Sequence, residues 1–279
     1  PAKKTRTLST PAGRVQVPKR IGPFHALLLD YVADVRMPKR GQHWHPKLAL
    51  VRYVPVEGAR GVPCWSLWLG SHNLVRSTSW ELGGSMRTEP RGHRLPKLNA
   101  QIPDLLRDAG FALEPALARE IASMKWVTDG ESLPSRVLLP GRDGPRWVAQ
   151  PAAHEALVVS PFLDATMLEW SLLHLPRQRE LLTTRAALAD LPRTDATLQR
   201  LLAFRRVLTL GPPGEQASTV NFGDAERSEG DDAIDGELGL HAKALCLAQS
   251  DATWTIQFGS ANATRRGQGI DVPPNAEVG

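Results

Sequence analysis

The stretch "LHAKALCLAQ" (240–249) places an imidazole and an ammonium side by side in an otherwise apolar run. The alternation is typical of a β-strand, in which residues i and i+2 point to the same face. We therefore expect His241 and Lys243 to share one face while Leu, Ala and Cys pack a core. A single His-x-Lys pair is a common coincidence and indicates no function by itself.

A similar stretch lies near the other end of the chain. "HPKLALVRYVPV" (45–56) also begins with His-x-Lys and continues as an alternating strand. In both places a turn and a second strand follow, and the second strand ends in Gly-Ser-x-Asn. The longer turn "VEGARGV" absorbs the difference in length, as loops readily do. The sequence thus predicts two similar hairpins whose polar residues are His45, Lys47, Ser71 and Asn73 in the first copy and His241, Lys243, Ser260 and Asn262 in the second.

These eight side chains suit the chemistry of a phosphate ester. The start of one strand and the end of its antiparallel partner meet at the same edge of a hairpin, so two facing hairpins would gather all eight. Lysine and asparagine supply charge and donors for the non-bridging phosphate oxygens and for a pentacoordinate transition state. One histidine can attack phosphorus, and the other can protonate the leaving oxygen and then activate water. No carboxylate pair accompanies them, so we expect neither a metal ion nor another cofactor.

The paired motifs resemble those of the phospholipase D superfamily, in which two copies build one active site at a pseudo-twofold interface. The resemblance covers about residues 40–85 and 154–279. It implies an α/β fold of two pseudo-twofold-related lobes, with mixed sheets flanked by helices, and a phosphohistidine intermediate. We expect His45 to be the nucleophile and His241 the general acid and base, although the repeat is also compatible with the reverse order.

The resemblance also implies a role for one acidic residue after the second motif. Glu277, in "NAEVG", matches the trailing acidic element that orients a catalytic histidine in the family. Glu81, in "WELGG", occupies a similar place after the first motif, though the match is weaker.

A departure from the family pattern indicates the substrate. The lipid-hydrolysing branch has an aspartate five residues after each lysine, where this chain has Arg52 and Ala248. The loss resembles the tyrosyl-DNA phosphodiesterase branch and bacterial nuclease-like relatives. The expected function is therefore metal-independent cleavage of nucleic acid, DNA rather than RNA. Two alternatives stay open: a phospholipid hydrolase or transphosphatidylase, and a catalytically inactive DNA-binding module.

Charge and aromatic content agree with a nucleic-acid partner. The chain of 279 residues has a net charge of +5 and a pI near 9.5, which favours an anionic partner, although many globular proteins carry as much charge without one. Trp44 and Trp80 are candidates for stacking on bases, and Arg265 and Arg266 for contacts with flanking phosphates. The resemblance further implies a larger assembly, such as a helicase-containing complex in DNA restriction or antiviral defence.

The remaining composition predicts a cytoplasmic protein with no membrane partner. No apolar run approaches the ~20 residues that span a bilayer, and the basic start of the chain lacks the apolar core of a signal peptide. The chain begins at Pro1 without a Met and ends at "NAEVG", so we expect a portion of a larger protein.

The order of segments predicts two lobes joined by a linker. Strand patterns alternate with helical patterns, including the buried strand of "EALVVSPFLD" and a helix with Asp195 as its N-cap, and this order is typical of α/β layers. The predicted divisions are a basic arm or linker over 1–20, a first phospholipase D-like half over 21–138, a linker over 139–153 and a second half over 154–279.

Overall fold

The computed structural model describes twelve parts of the chain, within which it contains eleven strands and six helices. The described residues are 8–11, 32–35, 46–56, 61–71, 79–108, 111–128, 134, 136–137, 139, 147–210, 239–249 and 252–272. The strands are β1 (Leu8–Pro11), β2 (Val32–Val35), β3 (Leu48–Tyr53), β4 (Cys64–Gly70), β5 (Gly83–Arg94), β6 (Lys125–Thr128), β7 (Ala153–Val159), β8 (Gln178–Thr183), β9 (Arg206–Thr209), β10 (Ala244–Gln249) and β11 (Trp254–Phe258). The helices are α1 (Pro96–Asp108), α2 (Pro115–Ser123), α3 (Ala165–His174), α4 (Arg185–Ala189), α5 (Asp195–Leu202) and α6 (Arg265–Gln268).

The first lobe is built on an antiparallel sheet in the order β3-β4-β5-β6. Alternation along these strands puts Leu67 on the face that packs against α1 and α2, where it joins Leu98, Ile102 and Ile121 in one buried cluster. The expectation of mixed sheets is therefore wrong for this sheet, because each of its strands runs opposite to its neighbour. A separate parallel pair, β1 with β2, places a strand inside the segment that the sequence predicted as an arm.

The second lobe is built on a mixed sheet in the order β11-β10-β7-β8-β9. β7, β8 and β9 run parallel, and β10 joins β7 in the antiparallel sense. The prediction that "EALVVSPFLD" contains a buried parallel strand is confirmed, since its apolar run supplies Val158 to the core. Leu181, Leu245 and Leu247 from the neighbouring strands complete this core beneath the helices. The α/β class is thus confirmed.

Two local predictions need correction. The N-cap of α5 is Thr194, not Asp195: the Thr194 hydroxyl accepts from the backbone N–H of Thr197, so Asp195 is the first helical residue. The sequence pattern also missed β5, because Pro90 and several glycines interrupt its alternation. Pro90 is tolerated because the β5–β6 register shifts between Thr88 and His93.

The two hairpins of the repeat share one register, which confirms the predicted similarity of their strands. In the first, the backbone N–H of Gly70 donates to the carbonyl of Lys47 at 3.0 Å. In the second, Gly259 donates to Lys243 at 3.3 Å. Each motif lysine therefore directly precedes its strand and lies opposite the glycine that precedes the motif serine.

The lobes meet at β5 and β11. The Phe258 ring packs against the apolar clusters of both lobes, and a Cβ at Gly84 would lie 3.0 Å from its Cζ atom. Glycine at this position thus permits close approach of the two sheets. None of the helices within the described ranges is long and apolar enough to cross a membrane.

Candidate active site

The segment that carries His241 is attached to the first lobe through Trp80. The backbone N–H of Trp80 donates to the carbonyl of Gly239 at 2.6 Å, and its own carbonyl accepts from the N–H groups of His241 and Ala242, both at 2.8 Å. Trp80 and Leu240 form a parallel bridge outside the named strands. The second His-x-Lys motif is thus positioned by backbone contacts with the other half of the chain.

At the centre of the site, three groups from the two motif copies meet. The carbonyl oxygen of Ser71 accepts from the Lys243 ammonium at 2.8 Å and lies 3.2 Å from Nδ1 of His241. The Lys243 Nζ atom is also 2.9 Å from Nδ1 of His241. Ser71 of the first motif copy and the His241–Lys243 pair of the second copy therefore form one cluster.

Ser71 is held rigidly on its other side. Its N–H donates to the carbonyl of Leu82 at 2.9 Å, and its hydroxyl accepts from the N–H of Leu82 at 3.0 Å. With its side chain fully buried, Ser71 supports the cluster through its backbone carbonyl. This agrees with a supporting role for the motif serine and differs from direct contact of its hydroxyl with a substrate.

Both motif lysines are buried, with exposed fractions of 3% for Lys47 and 0% for Lys243. A buried ammonium is costly unless other groups compensate its charge. For Lys243, the carbonyl oxygen of Ser71 is one such group.

The second Gly-Ser-x-Asn copy is fixed by residues that sequence reasoning missed. The carbonyl of Asn262 accepts from Nε2 of Gln268 at 2.9 Å, and Oε1 of Gln268 accepts from the N–H of Trp147, also at 2.9 Å. A Cβ at Gly267 would lie 2.5 Å from the carbonyl oxygen of Asn262, so only glycine fits there. The string "RRGQG" offered a signal, because a glycine shortly after a motif often marks a close backbone approach.

The loop after β7 supports the same segment from the other side. The Ser160 hydroxyl accepts from the N–H of Ala263 at 3.0 Å, and Oδ2 of Asp164 accepts from the N–H of Arg265 at 2.5 Å. Asp164 also caps α3 by accepting from Met167. The segment that follows the motif asparagine therefore lies beside the carboxyl end of the parallel strand β7, the edge at which α/β proteins commonly place their binding sites.

The predicted substrate-binding residues of the described part lie at the surface. Trp80 has an exposed fraction of 63%, although its backbone is anchored beside His241. Arg265 and Arg266 are exposed on α6, where Nε of Arg265 donates to the carbonyl of Ile270 at 3.2 Å. The two polar residues of the second Gly-Ser-x-Asn motif are less accessible, since Ser260 is buried and Asn262 is half-buried. Glu81 is exposed.

Four predicted site residues lie outside the described residues, and their placement stays a prediction; they are Trp44, His45, Asn73 and Glu277. In the parts of the chain that the structure describes, no group of three or more His, Cys, Asp or Glu side chains is placed to hold a metal ion.

Arg52, five residues after Lys47, stabilises the first lobe. Arg52 makes a two-pronged ion pair with Glu120 of α2, at 2.9 and 2.7 Å, and Glu120 also accepts from the Trp65 indole at 2.7 Å. The hydrogen bonds from Arg52 hold the pKa of Glu120 below its usual range, and the same pairing raises the pKa of Arg52. The corresponding residue of the second lobe, Ala248, is buried.

No model of a known protein family matches this chain, and neither a curated protein nor a solved structure is detectably similar to it.

Proposed function

We propose that the protein is a metal-independent phosphodiesterase of the phospholipase D superfamily that cleaves nucleic acid, with DNA favoured over RNA. The observation that carries this proposal is the contact of the Ser71 carbonyl with Lys243 and His241. It joins the two motif copies across the lobes, as a composite phosphate site requires. The two buried lysines supply positive charge for an anionic diester.

In the proposed reaction, a nitrogen of His45 attacks phosphorus and forms a P–N bond. The P–O bond to the leaving group breaks, and its electron pair goes to the oxygen, which takes a proton from Nε2 of His241. Nε2 of His241 then removes a proton from water, and the resulting hydroxide displaces His45 from phosphorus. The phosphate is held by Lys47, Asn73 and Asn262, whereas Lys243, which the sequence also predicted to bind it, contacts His241.

The surface around the cluster supports a polynucleotide substrate. Trp80 combines an exposed indole with a fixed backbone, and stacking of a base on an aromatic side chain contributes about 1–3 kcal/mol. Arg265 and Arg266 are exposed on the helix that follows Asn262 and suit contacts with flanking phosphates. Participation in a larger DNA-processing assembly stays a prediction from the family resemblance.

A cleavage assay in EDTA tests the proposed function. The wild type is incubated with single- and double-stranded DNA, RNA of the same sequence and phosphatidylcholine vesicles, alongside His45→Ala and His241→Ala. His154→Ala is the matched control, because His154 is exposed at the start of β7. We expect EDTA-resistant cleavage of DNA that both motif variants lose and the control retains.

Three results would contradict the proposal. Cleavage that requires a divalent metal would exclude the mechanism, and release of a lipid headgroup in preference to DNA cleavage would favour a phospholipase. DNA binding without cleavage in any form would favour the inactive DNA-binding module.

A further inference from the structure

We infer that Lys243 acts through His241, supplying the proton that His241 delivers to the leaving oxygen. This inference rests on the proposed function and gives Lys243 a task different from that of Lys47. It starts from the contact of Nζ of Lys243 with Nδ1 of His241 at 2.9 Å. Lys243 is a positioning residue, since in the inferred step it acts on the substrate only through His241.

The contact fixes the tautomer of His241. An ammonium group only donates hydrogen bonds, so the imidazole Nδ1 that faces it must accept. The proton of the neutral ring is then on Nε2. A protonated Nδ1 could donate to the Ser71 carbonyl at 3.2 Å, but it would leave the closer ammonium, at 2.9 Å, facing an N–H group that cannot accept from it.

This tautomer separates the tasks of the two motif histidines. A nucleophilic Nε2 needs an available lone pair, whereas Nε2 of His241 carries the ring proton when Nδ1 accepts from Lys243. His241 is therefore prepared to donate, and attack on phosphorus falls to His45. The contact of Lys243 with His241 thus distinguishes the two histidines, which the repeated sequence alone does not.

The proton balance of the donation requires Lys243. A neutral imidazole that loses its Nε2 proton would become a strongly basic anion unless Nδ1 gained a proton at the same time. In the inferred step, one N–H bond of the Lys243 ammonium breaks as an N–H bond forms at Nδ1, and the Nε2–H bond breaks as an O–H bond forms on the leaving oxygen. His241 remains neutral, and Lys243 becomes an amine until attack by water reverses both transfers.

The surroundings of Lys243 suit this relay. Its side chain is fully buried, and its Nζ atom is directed to the Ser71 carbonyl and to His241. The Ser71 oxygen lies within 3.2 Å of both nitrogens, so it can accept from Nζ before the transfer and from Nδ1 after it. The first lobe therefore contributes the acceptor that stabilises both states.

Comparison of two leaving groups tests the inference. A dinucleotide diester releases an alkoxide that needs a proton, whereas a p-nitrophenyl ester of thymidine phosphate releases a stable anion that needs none. We expect Lys243→Met to slow first-turnover cleavage of the dinucleotide by about 10²–10⁴-fold, the usual size of a general-acid effect, and that of the p-nitrophenyl ester by less than about 10-fold. Lys47→Met is the matched control and should slow both esters equally.

Lys243→Arg separates charge from proton donation. A guanidinium keeps the positive charge and the donors but does not release its proton in proteins. We expect this variant to bind both esters and to cleave the p-nitrophenyl ester, yet to remain slow on the dinucleotide. Should Lys243→Met fail to fold, the arginine variant carries the same comparison.

Nitrogen NMR of the wild type gives an independent readout, with the His241 signal identified by its loss in His241→Ala. We expect the neutral ring to carry its proton on Nε2. A proton on Nδ1, or equal slowing of both esters by the Lys243 variants, would overturn the inference. If the wild type cleaves neither ester, the proposed function fails, while the spectrum still decides whether Lys243 fixes the tautomer.

Discussion

The carbonyl oxygen of Ser71 lies 2.8 Å from Nζ of Lys243, across 172 residues of sequence. This contact links the end of the first hairpin to the start of the second. Because Ser71 is also fixed by two hydrogen bonds to Leu82, the acceptor that Lys243 reaches is a rigid one. A displacement between the lobes would therefore change the geometry of the ammonium and the imidazole together.

Replacement of Trp80 by alanine should weaken binding of single-stranded DNA. Loss of one stacked base removes about 1–3 kcal/mol, which corresponds to an affinity lower by roughly 5- to 150-fold. Trp80→Phe should retain most of the affinity. Binding is measured by fluorescence anisotropy with a labelled oligonucleotide in the His241→Ala background, so that no cleavage occurs.

Trp254→Ala is the control for this measurement. Trp254 is similarly exposed, at 55%, but it pairs with Ala248 at the end of the β10–β11 hairpin away from Lys243. Equal loss of affinity in the Trp80→Ala and Trp254→Ala variants would refute a specific stacking position at Trp80.

Replacement of Gln268 by leucine should destabilise the fold and slow cleavage. The change removes partners from the buried Trp147 N–H and from the Asn262 carbonyl, at a cost of about 1–3 kcal/mol for each group left unsatisfied. The lower free energy of unfolding should appear as a lower midpoint of urea denaturation, with an unchanged dependence of that free energy on urea concentration. Cleavage should also slow under conditions where the variant is folded, because Asn262 loses its support.

Gln257→Leu is the matched control for Gln268→Leu. Gln257 also bridges two backbone groups, the N–H and the carbonyl of Val148, but Val148 is exposed and both bonds lie at the surface. We expect Gln257→Leu to lower the free energy of unfolding by about 1 kcal/mol or less and to cleave at the wild-type rate. A slow rate in this variant would indicate that any loss of stability impairs the site.

Replacement of Glu120 by glutamine should lower stability at neutral pH and leave it unchanged in acid. Since Arg52 lowers the pKa of Glu120 in the folded state, the carboxylate stabilises the fold above its unfolded pKa of about 4.3. That stabilisation is lost as the pH falls through the lower folded value. The free energy of unfolding should differ by about 0.5–1 kcal/mol at pH near 7, and the difference should vanish on acidification.

Glu89→Gln provides the comparison for the ion pair. Glu89 pairs with Arg87 at 2.8 Å on a more exposed surface, where side-chain fractions are 55% for the arginine and 42% for the glutamate. We expect Glu89→Gln to change the free energy of unfolding by less than about 0.5 kcal/mol at any pH. A difference between Glu120→Gln and wild type that persists in strong acid would show that the packing of residue 120, not its charge, is responsible.

The repeated hairpins could be predicted because their signal is local and occurs twice. Each strand has its own alternation, which fixes the face of its side chains, and the structure pairs Lys47 with Gly70 and Lys243 with Gly259 although the first turn is longer. β5 could not be predicted in the same way. Its Pro90 is compatible with a strand only because of a register shift, which depends on β6.

The types of residue that meet in the cluster could be predicted, but the contacts between them could not. The repeat identified Ser71, His241 and Lys243 by type. Lys243 donates to the backbone carbonyl of Ser71 and not to its hydroxyl, and this choice depends on how the lobes pack. Gln268 could not be predicted for a different reason. The first copy carries Ser79 at the same spacing from its asparagine, so comparison of the two motif copies does not single out a glutamine.

The attachment of Gly239, His241 and Ala242 to Trp80 has a consequence for the order of folding. The contact closes a long loop of sequence, and the entropy lost on closure is compensated only when both sheets already exist to hold its ends. We therefore expect each lobe to gain its core first and the cluster of Ser71, His241 and Lys243 to form last. A chain in which either sheet is incomplete would then lack the contact of Lys243 with Ser71, so that this cluster exists only in the fully folded molecule.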